Sequence, residues 1–129
     1  MDKSTAKSPL VAWRGLSAGF LLIMGGIHLF LVFAGTGGLL GVLFVVNAVG
    51  SVALAVALMS GRRLVLVSSM SLLFMLGTLL SLVIALSPVS LFGLRSSLDY
   101  QLAPTSLVVE TAGVIVLAAT TALALRNRA

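Results

Sequence analysis

The sequence predicts an all-α protein: a four-transmembrane-helix bundle, antiparallel in up-down order, with both termini cytoplasmic. Three observations predict it. The chain of 129 residues is 60% hydrophobic and only 9% charged, with a mean hydropathy of +1.24. A water-soluble domain carries about 25% charged residues because its exterior faces water, so most of this exterior must face lipid. Four apolar stretches follow one another, each near the roughly 20 residues that carry a helix across about 30 Å of hydrocarbon. The basic residues, finally, gather on one side when the four stretches are threaded in turn.

The elements are expected in the following order. Residues 1–12 form a cytoplasmic N-terminal segment, and 13–125 form a single membrane domain. Its helices cover about 13–34, 39–59, 64–86 and 105–125, and 126–129 form a cytoplasmic tail. Inside lipid the backbone must satisfy its own hydrogen bonds, which makes helices the default. The stretches lack the polar–apolar alternation of barrel strands. Helices one and two are joined by Gly35-Thr36-Gly37-Gly38, and helices two and three by Ser60-Gly61-Arg62-Arg63. Such short turns make each pair antiparallel neighbours. The third connection, 87–104, is longer, and its part near 91–102 is expected to lie as an amphipathic helix at the interface, with Arg95 and Asp99 paired one turn apart.

Orientation follows from the basic residues. Lys3, Lys7, Arg14, Arg62, Arg63, Arg126 and Arg128 fall on one side and Arg95 alone on the other, a bias that marks the first side as cytoplasmic. Trp13 then sits at the inner interface and Tyr100 at the outer, the level amphipathic rings prefer. The expected location is the bacterial inner (plasma) membrane, multi-pass. The apolar run from Leu16 exceeds the 7–15 residues of a signal-peptide core, so helix one is expected to be retained.

Composition also bounds the chemistry. Cysteine is absent, which removes disulfides, thiolate metal sites and thiol nucleophiles. The net charge of +5 is spread in ones and twos around apolar segments and forms no basic face, so no nucleic acid is expected as a partner. No serine–histidine–carboxylate arrangement, metal-ligand spacing or phosphate loop is present. Enzymatic activity is not expected, and neither a cofactor nor a metal site is called for.

Three polar residues within the spans stand out, because ionisable groups in lipid are expensive and mark sites by default. These are His28, Asn47 and Glu110. At 1.5 Å per residue, His28 and Glu110 both lie roughly 8–9 Å below the outer boundary and Asn47 roughly 12 Å. Helices one and four can be neighbours, so the first two residues can meet. For Glu110 the plain reading is a neutral or His28-paired carboxyl that locks the bundle; the functional one is a proton or cation site. For His28 the alternatives are a hydrogen bond to Glu110 or to a backbone carbonyl, a ligand role for haem or metal, and proton relay. Asn47 reads as interhelical glue.

Small residues set where helices can approach closely. Gly15, Gly19 and Gly26 share a stripe of helix one; Gly50 shares a face with Asn47 and Ser51, Gly77 with Ser81, and Gly113 with Glu110 and Leu117. These six glycines are the expected packing positions.

The runs Gly25-Gly26-Ile27-His28-Leu29, Gly41 through Gly50, Leu91-Phe92-Gly93-Leu94-Arg95 and Val108-Val109-Glu110 resemble a group of uncharacterised four-helix integral membrane proteins of actinobacteria. The resemblance implies the same topology and a plasma-membrane location, and it directs attention to His28, Asn47, Phe92, Gly93 and Glu110. Gly41 through Ser51 is also similar to the second helix of small dimeric fluoride channels. Helix three, Phe74-Met75-Leu76-Gly77-Thr78-Leu79-Leu80-Ser81, departs from their phenylalanine box, and His28 and Glu110 are foreign to it. The leading expectation is a non-enzymatic structural or accessory protein, with the lipid bilayer, a homo-oligomer or a larger membrane complex as partners. Its rivals are a proton or small-ion channel or transporter using Glu110 and His28, and haem or metal binding through His28.

Overall fold

The computed structural model describes residues 3–35, 37–86 and 103–128. Four helices account for nearly all of them: α1 (Lys3–Phe33), α2 (Gly38–Ser60), α3 (Leu64–Leu86) and α4 (Ala103–Arg128). Each is long and apolar enough to cross a membrane. Helix α1 begins ten residues before the expected 13, and α4 runs on into the expected tail. Hydropathy marks what lipid covers, whereas a helix can continue past the interface into water. The expected interfacial helix near 91–102, the Arg95–Asp99 pair, Tyr100, Phe92 and Gly93 lie outside the described residues, as does Thr36.

Both short turns depend on glycine. Gly35 (φ +116°) follows α1, and Gly61 (φ +73°) ends α2 with its N–H donated to Leu58 O at 3.2 Å. Such left-handed caps favour a residue without a Cβ.

The helices form a ring in which α1 packs on α2 and α4, and α3 on α4 and α2. The α1–α2 seam is the most extensive and α2–α3 the thinnest. Contacts between facing residues show the antiparallel register: Ser17 meets Thr120 while His28 meets Glu110, and Asn47 meets Thr78 while Gly50 meets Phe74.

The burial pattern is that of a membrane bundle. Large apolar side chains point outward, with Val108 at 70% and Leu73 at 67% exposure, while Ser17, Ser51, Ser68, Ser71 and Thr120 are fully buried. Water would reverse that arrangement; lipid favours it, because a polar group inside finds a partner and one outside does not. An apolar layer of Leu21, Met24, Met75 and Leu117 fills the middle, and Leu58 near the end of α2 belongs to the same core cluster. The chain is a small multi-pass membrane protein.

The packing glycines differ in part from expectation. A Cβ at Gly50 would lie 2.9 Å from the Phe74 ring, and one at Gly113 2.7 Å from Met75 Cε. Gly15, Gly19, Gly26 and Gly77 have nothing within 4 Å of that position. They face outward, and the intimate contact on α1 is made instead by Gly25, where a Cβ would sit 2.8 Å from Ser51 Cβ. The stripe had the right composition and the wrong side, since apolar residues occupy both faces of a lipid-bathed helix.

Candidate functional site

The inward face of α4 carries Ser106, Glu110, Gly113, Leu117 and Thr120, all buried. These positions recur every three or four residues, the spacing that keeps side chains on one helix face. The facing stripe of α1 is Ser17, Leu21, Met24, His28 and Leu31. Antiparallel pairing of the two stripes brings His28 opposite Glu110, with 3.9 Å between Nε2 and Oε1. That separation is an ion-pair distance and too long for a hydrogen bond.

His28 is oriented from two sides. Its Nδ1 lies 2.7 Å from Met24 O, one turn earlier on the same helix. A carbonyl only accepts, so Nδ1 carries the hydrogen and donates it. Nε2 is therefore the nitrogen that faces Glu110, with a free lone pair whenever the ring is neutral. Phe44 of α2 meets the imidazole in a T-shaped contact, 4.8 Å between centroids and 86° between planes. Between a backbone carbonyl and an aromatic ring, the imidazole is held with Nε2 aimed across the α1–α4 seam.

Glu110 is 1% exposed, and both of its carboxyl oxygens are buried without a hydrogen-bond partner. A buried polar group left so costs about 1–3 kcal/mol. Orphans of this kind are rare in native proteins and call for a reason beyond packing. A carboxyl that merely fastened α4 to α1 would be expected to accept a hydrogen bond from His28; it does not.

Asn47 lies elsewhere. Its Nδ2 donates to Thr78 Oγ1 at 3.0 Å, and Ser51 Oγ donates to its Oδ1 at 3.4 Å. Thr78 donates onward to Phe74 O at 2.9 Å. Asn47 thus links α2 to α3 across the thinnest seam, one helical turn from Phe44, and is hydrogen-bonded to neither His28 nor Glu110. Composition alone did not point to Phe44, Thr78 or Gly25. The signal that could have found Thr78 is the same one that found Asn47, a polar group that must turn inward in lipid.

A second polar cluster lies beyond the apolar layer. Ser17 and Thr120 share a hydrogen bond of 2.7 Å. Thr120 Oγ1 is 2.9 Å from Val116 O and 3.2 Å from Trp13 O. A hydroxyl has one hydrogen to give, so when Thr120 donates to a carbonyl it accepts from Ser17. This cluster is fully partnered, unlike Glu110.

Among the described residues no group of three or more histidines and acids could hold a metal ion. His28 and Glu110 together offer two ligands where a closed zinc site takes four. What the pair can do is move a proton. With Nδ1 hydrogen-bonded, one further proton resides either on the carboxyl, leaving both groups neutral, or on Nε2, leaving an ion pair. Either arrangement keeps the site neutral as a whole, which is what the low-dielectric surroundings demand. Closing the gap by about 1 Å brings the two atoms into hydrogen-bond range. No protein-family model, no curated protein and no solved structure matches this chain.

Proposed function

We propose that the protein moves protons across the bilayer, as a transporter, with Glu110 as the proton-carrying group and His28 as its relay. The observation that carries this reading is the fully buried Glu110 carboxyl without a hydrogen-bond partner, facing the lone-pair nitrogen of an imidazole. Because no neighbour fixes the carboxyl, its proton can pass to a base that comes within hydrogen-bond range, and the lone pair of His28 Nε2 is such a base. The apolar layer of Leu21, Met24, Met75 and Leu117 interrupts any continuous polar path to the Ser17–Thr120 cluster. That favours a transporter whose helices must rearrange over an open pore, and the thin α2–α3 seam is where the least packing would be lost.

The test is proton movement into vesicles that contain the purified protein and a lumenal pH dye. Wild type dissipates an imposed pH gradient, Glu110→Gln abolishes the flux, and His28→Gln slows it. Equal flux in wild type and Glu110→Gln removes the proposal, and a flux driven by a sodium gradient at equal pH reassigns the site to a small cation.

A second reading is favoured by the outward glycines. Gly15, Gly19 and Gly26 present a strip of open backbone on α1, where another transmembrane helix can come close. This suits an accessory protein that self-associates or joins a larger membrane complex. Size measurements in detergent that gave only monomer, together with affinity capture from membranes that recovered no partner, would speak against it.

A further inference from the structure

At the end of the bundle opposite the His28–Glu110 layer, an open groove of about 660 Å³ runs between α1, α3 and α4. Leu10, Leu64, Leu66 and Ala124 form its apolar walls, and Arg63 and Asn127 stand at its polar mouth. Arg63 is the one non-glycine residue with positive φ (+49°) among those described. A left-handed conformation costs an ordinary side chain about 1–2 kcal/mol per residue in helical runs, and strain of this kind gathers at binding sites. Arg63 and Arg62 are both exposed in the turn, and of the two it is Arg63 that lines the groove.

The same end is rich in positive charge. Arg14 lies one helical turn from Leu10 on the same face of α1, its guanidinium resting over Gly61, where a Cβ would come within 2.7 Å of Nη1. Its Nε is buried without a hydrogen-bond partner. Arg62 and Arg126 are exposed nearby, at the α2–α3 turn and the last turn of α4. Among the described residues the single acid is Glu110, a bundle length away, so no described carboxylate neutralises these cations.

From an apolar slot with Arg63 at its mouth and Arg14, Arg62 and Arg126 at the same end of the bundle, we infer that the groove binds an anionic phospholipid. One acyl chain lies along Leu10, Leu64 and Ala124, and the headgroup phosphate meets Arg63 with the Asn127 amide beside it. Guanidinium suits this role because its fork of donors matches the phosphate oxygens, and basic pockets between transmembrane helices hold anionic headgroups in the same manner. The occupant is fixed by charge complementarity: a zwitterionic lipid would bring its own cation toward four arginines.

Trp13 is the only tryptophan and lies one helical turn from Leu10, so it reports on this end of the bundle. The protein is reconstituted in phosphatidylcholine vesicles holding an equal fraction of either dibrominated phosphatidylglycerol or dibrominated phosphatidylcholine, and quenching of Trp13 is read. Phosphatidylglycerol is expected to associate at least about fivefold more strongly, the ratio that one basic contact supplies. Arg63→Gln should reduce that preference about fivefold. Ser69 also lines the groove, so Ser69→Leu, which fills it without touching charge, should reduce the preference as well. Arg126→Gln removes the same charge from outside the groove and should leave most of the preference. Equal quenching by the two lipids overturns the inference. So does an unchanged preference in Ser69→Leu, or equal losses in Arg126→Gln and Arg63→Gln, since each would reduce the effect to general surface potential.

Discussion

Replacing Glu110 by methionine should make the bundle more stable while ending its activity. In the structure the carboxyl is fully buried and neither oxygen has a partner. Removing an orphaned polar group of this kind relieves about 1–3 kcal/mol. Methionine is unbranched, similar in length and adaptable in shape, so repacking against Gly113 and Met75 costs less than about 1.5 kcal/mol. The balance is a net gain of about 1 kcal/mol. Glu110→Gln should show no such gain, because the amide is orphaned in its turn. The assay is reversible unfolding in mixed micelles, followed by circular dichroism as the denaturing detergent fraction rises. A loss of about 2 kcal/mol or more in Glu110→Met would mean that the carboxyl anchors α4 through a partner, and the reasoning from its isolation would fail.

Three other outcomes follow from the packing. Gly25→Ala pushes a Cβ to 2.8 Å from Ser51 Cβ and should cost about 1–3 kcal/mol, whereas Gly26→Ala, in open space, should be neutral or stabilising by up to about 1 kcal/mol; the same micelle titration separates them. Asn47→Ala removes the hydrogen bond to Thr78 and should cost about 0.6 kcal/mol, at most about 1.7. Arg63→Gly relieves the left-handed backbone at φ +49° and should stabilise by about 1 kcal/mol, which thermal unfolding in detergent will show.

The sequence carried the fold because lipid leaves a chain few options. Four apolar stretches with Gly35 and Gly61 at the joints already imply antiparallel helices, and α1 starts earlier than the apolar stretch it contains because hydropathy cannot see a helix that continues into water. Which face of each helix turns inward was harder to read. In water the apolar stripe points to the core; here Val108 and Leu73 face lipid as readily as Leu117 faces the interior, so glycine spacing alone chose the wrong side of α1. Polar residues were the better guide. Ser17, Ser51, Ser71, Asn47, Glu110 and Thr120 are all buried, and reading them as inward markers would have turned Gly26 outward and Gly25 inward. Depth along the helices put His28 and Glu110 in one layer, but the Met24 carbonyl and the Phe44 ring that orient the imidazole depend on rotamers and neighbours that spacing does not encode.

The proposal that Glu110 holds and releases a proton inside the bundle is tested most directly by infrared difference spectra of the protein in lipid during a pH titration. Wild type should show a protonated-carboxyl carbonyl band that disappears as the proton leaves and is missing from Glu110→Gln, while bands from Asp2 and Asp99 persist in both. Identical spectra for wild type and Glu110→Gln at every pH would contradict it.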